Sequence, residues 1–166
     1  VMRNADPTIK LVLAGSHFPL YHTKTDWNLK VLDALYDYID YISMHHYIGL
    51  MGRSSIVDRW QDLGPAGVHR HLTEFMADLE HGYRLLREEI RLVQYLKGTP
   101  KPIGVALDEY NPWYESYTTL DQRFHLGDSL LVAAYFNSML RNADVATLSN
   151  MAQLVNVLPA MVCEPG

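Results

Sequence analysis

The stretch Pro102–Tyr114 reads PIGVALDEYNPWY, and it decides the fold prediction because a short apolar run ends abruptly in two carboxylates. Residues Ile103–Leu107 have the length and the nearly continuous apolar character of a strand that is buried on both faces. Asp108 and Glu109 close this run, and a segment rich in aromatic and amide side chains follows them. We therefore predict a buried parallel strand that carries polar groups at its carboxyl end.

Three other apolar runs predict further strands on either side of this one. They are Ile9–Ala14, Tyr41–Met44 and Val145–Met151. Between the strands, apolar residues recur every three or four positions, which is the spacing of one helix face. The predicted helices cover Trp27–Tyr38, Leu72–Val93 and Phe124–Arg141. The glycine-rich residues 48–65 keep no period and are interpreted as a long loop. The order β-α-β-α-β-α-β predicts the α/β class with a parallel sheet.

Polar residues follow three successive predicted strands. These residues are His45, His46 and Tyr47, then Asp108 and Glu109, then Asn150 and Gln153. A (β/α)8 barrel builds its active site in this way, from the carboxyl ends of several strands. Such a barrel usually takes about 250 residues, whereas the chain has 166 residues and four predicted strands. We therefore predict half of a (β/α)8 catalytic barrel over residues 1–166.

Composition and motifs argue against several classes of function. The 14 Lys and Arg residues against 19 Asp and Glu residues give a net charge of −5, which disfavours nucleic acid as a partner. No apolar run is long enough to span a membrane, and no signal peptide is visible, so we favour the cytoplasm. The single Cys163 has no partner for a disulfide. No metal, dinucleotide or P-loop motif is present, so we expect no metal and no cofactor.

The segment around Glu109 is typical of a carbohydrate site. Sugars offer hydroxyl groups to amides and carboxylates, and they offer C–H faces to aromatic rings such as that of Trp113. Strand alternation leaves open which of Asp108 and Glu109 faces the barrel interior, because neighbours on a strand point to opposite sides. For His45 and Tyr47, a purely structural role at a strand end also remains open.

Three segments resemble, in the same order, motifs of glycoside hydrolase family 51, the α-L-arabinofuranosidases of clan A. They are ISMHHY at Ile42–Tyr47, LDEYNPWY at Leu107–Tyr114 and NMAQLVNV at Asn150–Val157. Shorter pieces at Met2–Arg3, Asp26–Asn28 and Arg141–Asp144 are also similar to that family. The resemblance covers nearly the whole chain. Two positions depart from the family pattern, since His46 replaces a usual aromatic residue and Tyr110 a usual Trp.

The resemblance implies a retaining glycosidase that removes terminal α-L-arabinofuranosyl residues from arabinose-containing oligosaccharides and polysaccharides. The four strands would be strands five to eight, so that the chain is the C-terminal half of the catalytic barrel. By motif position Glu109 is implied to be the catalytic nucleophile, and His45, Tyr47, Trp113 and Gln153 are implied to bind the sugar.

The family also implies parts that the chain lacks. Its acid/base is the Glu of an Asn-Glu motif after strand four, which would precede Val1. The N-terminal barrel half and a β-sandwich domain would lie outside the chain as well. The missing barrel half is the expected partner, and a homo-oligomer is left open. We therefore expect the isolated chain to be inactive. The alternatives are a non-catalytic barrel fragment or subunit, or another retaining barrel glycosidase such as an endoglucanase or a β-xylosidase.

Overall fold

The computed structural model describes residues 2–16, 26–120 and 122–152, and in these ranges four parallel strands form one sheet in the order β1-β2-β3-β4. The strands are β1 (Val12–Leu13), β2 (Tyr41–Ile48), β3 (Gly104–Pro112) and β4 (Ala146–Ser149). The helices are α1 (Met2–Ala5), α2 (Trp27–Leu35), α3 (Trp60–Glu74), α4 (Met76–Lys97) and α5 (Leu126–Arg141), with a 3-10 turn at Gly52–Ser54. The predicted α/β class with a parallel sheet is confirmed.

One face of the sheet carries the hydrophobic core. Residues Ile42, Met44 and Ile48 alternate along β2, and all three are fully buried. Helix α4 faces the core with apolar residues three or four positions apart, among them Leu79 and Leu86. In the helix layer, α4 packs against α2 on one side and against α5 on the other. The intervening residues of β2 are only partly buried, so the second face of the sheet is the open one.

The middle strands are longer than predicted, and this changes where the polar motifs lie. Strand β2 continues to Ile48, so His45 and Tyr47 lie within the strand and not after it. Strand β3 likewise continues through Glu109 to Pro112. β2 and β3 hydrogen-bond to each other over this whole length, so both motifs belong to the strands. The apolar pattern of the sequence alone does not show this pairing. The outer strands are instead shorter than predicted.

The loop predicted over residues 48–65 is wrong in its last part, because α3 already begins at Trp60. Gly64 adopts a positive φ of 62° inside this helix and is followed by Pro65, so the helix is kinked there. A Gly-Pro pair is normally a signal for a break, and here it interrupts the apolar period without ending the element. The predicted stop of the next helix is confirmed, since Gly98 caps α4 with a φ of 67°.

Candidate active site

A bulge in β3 brings Glu109 to the open side of the sheet. Met44 pairs with Leu107 but the next residue of β2, His45, pairs with Glu109, so Asp108 is an extra residue in the ladder. Without the bulge, strict alternation from the buried Leu107 would turn Glu109 toward the helices. The bulge instead places Glu109 opposite His45, on the open face.

Asp108 and Glu109 both contact the imidazole ring of His45. The distance from His45 Nε2 to Asp108 Oδ1 is 3.2 Å, and the distance from His45 Nδ1 to Glu109 Oε2 is 3.4 Å. The ring therefore lies between the two carboxylates. Each ring nitrogen faces one carboxylate, so the His45 ring contacts both acids at once.

Tyr47 supplies a second contact to the same carboxylate oxygen. Its hydroxyl donates to Glu109 Oε2 at 3.3 Å. Burial and the neighbouring Glu109 carboxylate raise the pKa of the Tyr47 hydroxyl, so this group remains a donor at neutral pH. Glu109 is thus oriented by two residues from the adjacent strand, while its side chain is still 47% exposed.

Trp113 extends this group toward the loop that follows β3. Its ring meets the ring of Tyr47 edge to face, with 5.7 Å between the centroids. The indole Nε1 donates to the carbonyl of Ser116 at 2.9 Å, and the Trp113 backbone N–H donates to the carbonyl of Ile48 at 2.8 Å. Both ends of the residue are fixed, and the half-buried ring remains partly open to a ligand.

Gly49, directly after β2, allows the chain there to lie close to Trp113 and Tyr114 after β3. Its φ is 97°, a conformation that side chains disfavour. A Cβ atom on Gly49 would lie 2.8 Å from Tyr114 Cβ and 3.1 Å from the Trp113 carbonyl oxygen. The glycine is therefore needed both for its backbone conformation and for the space beside Trp113.

A cavity of about 460 Å³ adjoins the Asp108 carboxyl on the open face. It is lined by Val12, Ala14, Gly15, Ser43, His45 and Asp108. The first turn of α2 holds the wall of this cavity, since Trp27 Nε1 donates to the Ala14 carbonyl and Asn28 Oδ1 accepts from the Ser16 N–H. These two bonds give Trp27 and Asn28, from the Asp26–Asn28 segment that resembles the family, a role beside the cavity.

The Asp108 carboxyl has a raised pKa. Burial raises its pKa, the Glu109 carboxylate adds to the rise, and His45 opposes it. Two neighbouring acids repel each other if both are ionised, which is why the Glu109 carboxylate raises the pKa of Asp108. The Glu109 carboxylate thus accepts from Tyr47 and lies beside His45, and both of these residues belong to β2.

The two positions that depart from the family pattern lie on the opposite face of the sheet. His46 is buried, and its Nδ1 lies 2.7 Å from the hydroxyl of Tyr135 on α5. Tyr110 packs on the same ring, with 5.0 Å between the centroids of Tyr110 and Tyr135. Both departures therefore belong to the helix-facing core and not to the group around Glu109.

Asn111 is a residue to which the sequence analysis gave no role. It is buried two positions after Glu109, and its Nδ2 donates to the carbonyl of Ala152, just beyond β4. The backbone N–H of Asn150 donates to the Leu107 carbonyl at 3.0 Å, so this segment follows the end of β3. The amide-rich composition after Glu109 was the signal that could have identified Asn111. Gln153, predicted to bind the sugar, lies outside the described residues.

The described residues contain no group of three His, Cys, Asp or Glu side chains that could hold a metal ion. The expectation of a site without metal or cofactor stays a prediction. In the described part of the chain, no helix combines the length and the apolarity that crossing a bilayer requires.

Comparison with known proteins shows which proteins the chain is similar to. The family described as the α-L-arabinofuranosidase C-terminal domain matches residues 108–166. An intracellular exo-α-(1→5)-L-arabinofuranosidase of Halalkalibacterium halodurans is 32% identical over 100% of the chain, and its Bacillus subtilis counterpart is 31% identical, also over 100%. The chain spans about a third of the length of these curated relatives, 33% in both cases.

Solved structures agree with this result. The α-L-arabinofuranosidase of Thermotoga maritima, in complex with arabinose, matches 98% of the chain with a TM-score of 0.71 and 28% identity. A thermostable family 51 α-L-arabinofuranosidase of Thermotoga petrophila matches 98% of the chain with a TM-score of 0.72 and 27% identity. The chain covers 29% of each of these two structures.

Proposed function

Because the chain matches a C-terminal region of the family 51 α-L-arabinofuranosidases, we propose that it supplies strands five to eight of a (β/α)8 barrel. The whole protein then removes terminal α-L-arabinofuranosyl residues from oligosaccharides and polysaccharides. The observation that carries this proposal is the Glu109 carboxylate, which meets Tyr47 and His45 on the open face beside Trp113. The relatives are named intracellular, which supports a cytoplasmic location.

The proposed reaction has two steps with retention of configuration. Glu109 attacks the anomeric carbon, the bond to the leaving oxygen breaks, and a second carboxylic acid gives that oxygen its proton. The same second group then takes a proton from water, and the resulting attack releases arabinose and regenerates the Glu109 carboxylate. Tyr47 and His45 hold the attacking oxygen in place, and Trp113 offers an aromatic face to the sugar.

The second carboxylic acid is proposed to come from a part of the protein outside these 166 residues. Asp108 directly precedes Glu109 in the chain, and its carboxyl is in contact with His45. A retaining site needs its two carboxyl groups about 5 to 5.5 Å apart. We therefore expect the whole protein to be active and the isolated chain to show no turnover. Gln153 is proposed as a further sugar ligand on the evidence of its motif alone.

The test is the Glu109→Gln change in the whole protein. We expect turnover of a chromogenic α-L-arabinofuranoside to fall by about 10³-fold or more, since the variant has no charged nucleophile. A slowly hydrolysed 2-fluoro substrate should form a covalent adduct that peptide mass spectrometry locates on Glu109. Glu115→Gln is the matched control, because Glu115 lies six residues away and accepts a bond from the Arg123 backbone.

Two outcomes would contradict the proposal. One is an adduct on another side chain, and the other is a Glu109→Gln protein with the activity of the parent. Faster turnover of a β-xyloside or a β-glucan than of any arabinofuranoside would instead favour another retaining barrel glycosidase. Complete inactivity of the whole protein on all of these substrates would favour a non-catalytic subunit.

A further inference from the structure

Two loops lie at the edge of the sheet where Glu109 is found. One follows β2 and includes Ser55 and Asp58, and the other follows β3 and includes Trp113 and Tyr117. In a parallel sheet the carboxyl ends of all strands lie at one edge, so both loops belong to the same rim. Ligands of such sheets bind at this edge.

Tyr117 joins the two loops through its hydroxyl group. The Tyr117 hydroxyl lies 3.4 Å from Asp58 Oδ2 and 3.5 Å from Ser55 Oγ. Its side chain is nevertheless 54% exposed. The hydroxyl end of the side chain is therefore held, and much of the aromatic surface is available to solvent.

The loop that carries Tyr117 is fixed from within. Ser116 Oγ accepts from the backbone N–H of Thr118 at 3.1 Å and from that of Thr119 at 3.2 Å. The Ser116 carbonyl is the group that accepts from the Trp113 indole. Tyr117 thus follows directly the residue that anchors Trp113, and Trp113 in turn contacts Tyr47 beside Glu109.

We propose that Tyr117, with Asp58 and Ser55, forms a second sugar-binding subsite for the leaving-group side of a polymeric substrate. The aromatic ring offers a face for the C–H surface of a sugar, and the carboxylate and the serine hydroxyl offer partners for its hydroxyl groups. Trp113 and Glu109 mark the position of the sugar that is cleaved, and the Tyr117 subsite lies farther along the same loop. This inference rests on the proposed function.

The test compares a short and a long substrate in the whole protein. For Tyr117→Ala we expect the KM of an α-1,5-linked arabino-oligosaccharide to rise about 3- to 10-fold, the size of one aromatic contact. The KM of a chromogenic arabinofuranoside should stay the same, because that substrate has no second sugar. Tyr117→Phe keeps the ring and should show a smaller rise with the oligosaccharide.

Tyr95→Ala is the matched control, since Tyr95 is 82% exposed but lies on α4. It should change neither KM. The proposal is overturned if Tyr117→Ala leaves the oligosaccharide KM unchanged. It is also overturned if the KM rises equally for both substrates. In that case Tyr117 would only stabilise the loop that holds Trp113.

A binding measurement separates the failure of this inference from failure of the proposed function. Calorimetry of the oligosaccharide with the Glu109→Gln protein should show weaker binding when Tyr117→Ala is added. If Glu109→Gln is inactive and binding does not depend on Tyr117, the subsite is wrong and the proposed function stands. If Glu109→Gln is fully active, the proposed function fails regardless of Tyr117.

Discussion

Glu109 is oriented by residues of the neighbouring strand more than by its own. Tyr47 and His45 both reach its Oε2 from β2, and neither contact is local in the sequence. Glu109 could be predicted as a site residue from the sequence, because a carboxylate after an apolar strand, followed by aromatic residues, indicates a sugar site. It could not show that the His45 ring lies between Asp108 and Glu109, because that depends on the pairing of two strands 60 residues apart in the chain.

The hydroxyl of Tyr47 is the contact to Glu109 that is easiest to remove without changing the shape of the site. We expect Tyr47→Phe to lower kcat/KM of the whole protein about 10- to 100-fold, because a hydrogen bond to a charged group contributes about 1.5 to 3 kcal/mol. Steady-state kinetics with a chromogenic arabinofuranoside measures the loss.

Tyr41→Phe is the control for this change, since Tyr41 lies on the same face of β2 but at the opposite end of the strand. It should keep the kinetics of the parent protein. Equal kinetics for Tyr47→Phe and the parent would show that the Tyr47 hydroxyl does not act on Glu109.

At the scale of the elements, the bulge in β3 marks the limit of what an alternating pattern can predict. The apolar residues of Ile103–Leu107 correctly indicated a buried strand. They could not indicate Asp108 as the extra residue, because a bulge inserts one residue without any fixed sequence signal. Since a shift of one position exchanges the two faces of a strand, this single residue decides whether Glu109 faces the open side of the sheet or the core.

Helix α3 shows a second limit. Its kink at Gly64 and Pro65 breaks the period that would otherwise identify it. The regular α4 was predicted over most of its length, but its predicted start at Leu72 is wrong, because Leu72 belongs to α3, which ends at Glu74. An apolar period therefore predicted that an element exists, and it did not predict the kink in α3, the bulge in β3 or the boundary between α3 and α4.

Gly49 connects the end of β2 to the position of Trp113, so Gly49→Ala tests this connection. We expect a loss of stability of more than about 1 to 2 kcal/mol, the usual cost of a left-handed backbone for a residue with Cβ, because a clash with Tyr114 is added. Thermal unfolding measures the loss. The KM for the arabinofuranoside should rise as well, since the clash displaces the carbonyl of Trp113.

Gly98→Ala separates the two contributions to that loss. Gly98 also has a positive φ, at 67°, but a Cβ atom there would meet nothing within 4 Å. Its loss of stability should be smaller than that of Gly49→Ala, and its KM should be that of the parent. If the two variants lose the same stability and keep the same KM, then the contact of Gly49 with the Trp113 loop has no effect.

At the scale of the whole molecule, the helix layer and the open face are linked through one buried polar group. Asn28 on α2 accepts from the Ser16 N–H near the cavity and also hydrogen-bonds the carboxyl of Glu89 on α4. Both side chains are buried, and Glu89 Oε2 has no hydrogen-bond partner among the described residues. The packing of α2 on α4 therefore encloses an acid that water cannot solvate well.

The burial of Glu89 makes the stability of the fold depend on pH. Burial raises the pKa of Glu89, and the bond from Asn28 opposes the rise only in part. Above the ordinary pKa of a glutamate, the unfolded chain has released a proton that the folded chain still holds. Since stability increases with pH only where the unfolded state holds more protons, this group makes stability fall as the pH rises from about 4.3 through the raised pKa.

Glu89→Gln should therefore stabilise the protein at pH 7 and lose this advantage as the pH approaches 4. A gain of about 1 kcal/mol corresponds to a Tm increase of about 2 to 4 °C in a domain of 150 to 250 residues. Thermal unfolding at a series of pH values measures the difference. Glu88→Gln is the matched control, because Glu88 is exposed and pairs with Arg91, a surface contact worth little at any pH. The contrary result is a Tm difference between Glu89→Gln and the parent that is the same at pH 4 and at pH 7. The pKa of Glu89 would then not change on folding, and the bond from Asn28 would fully offset the effect of burial.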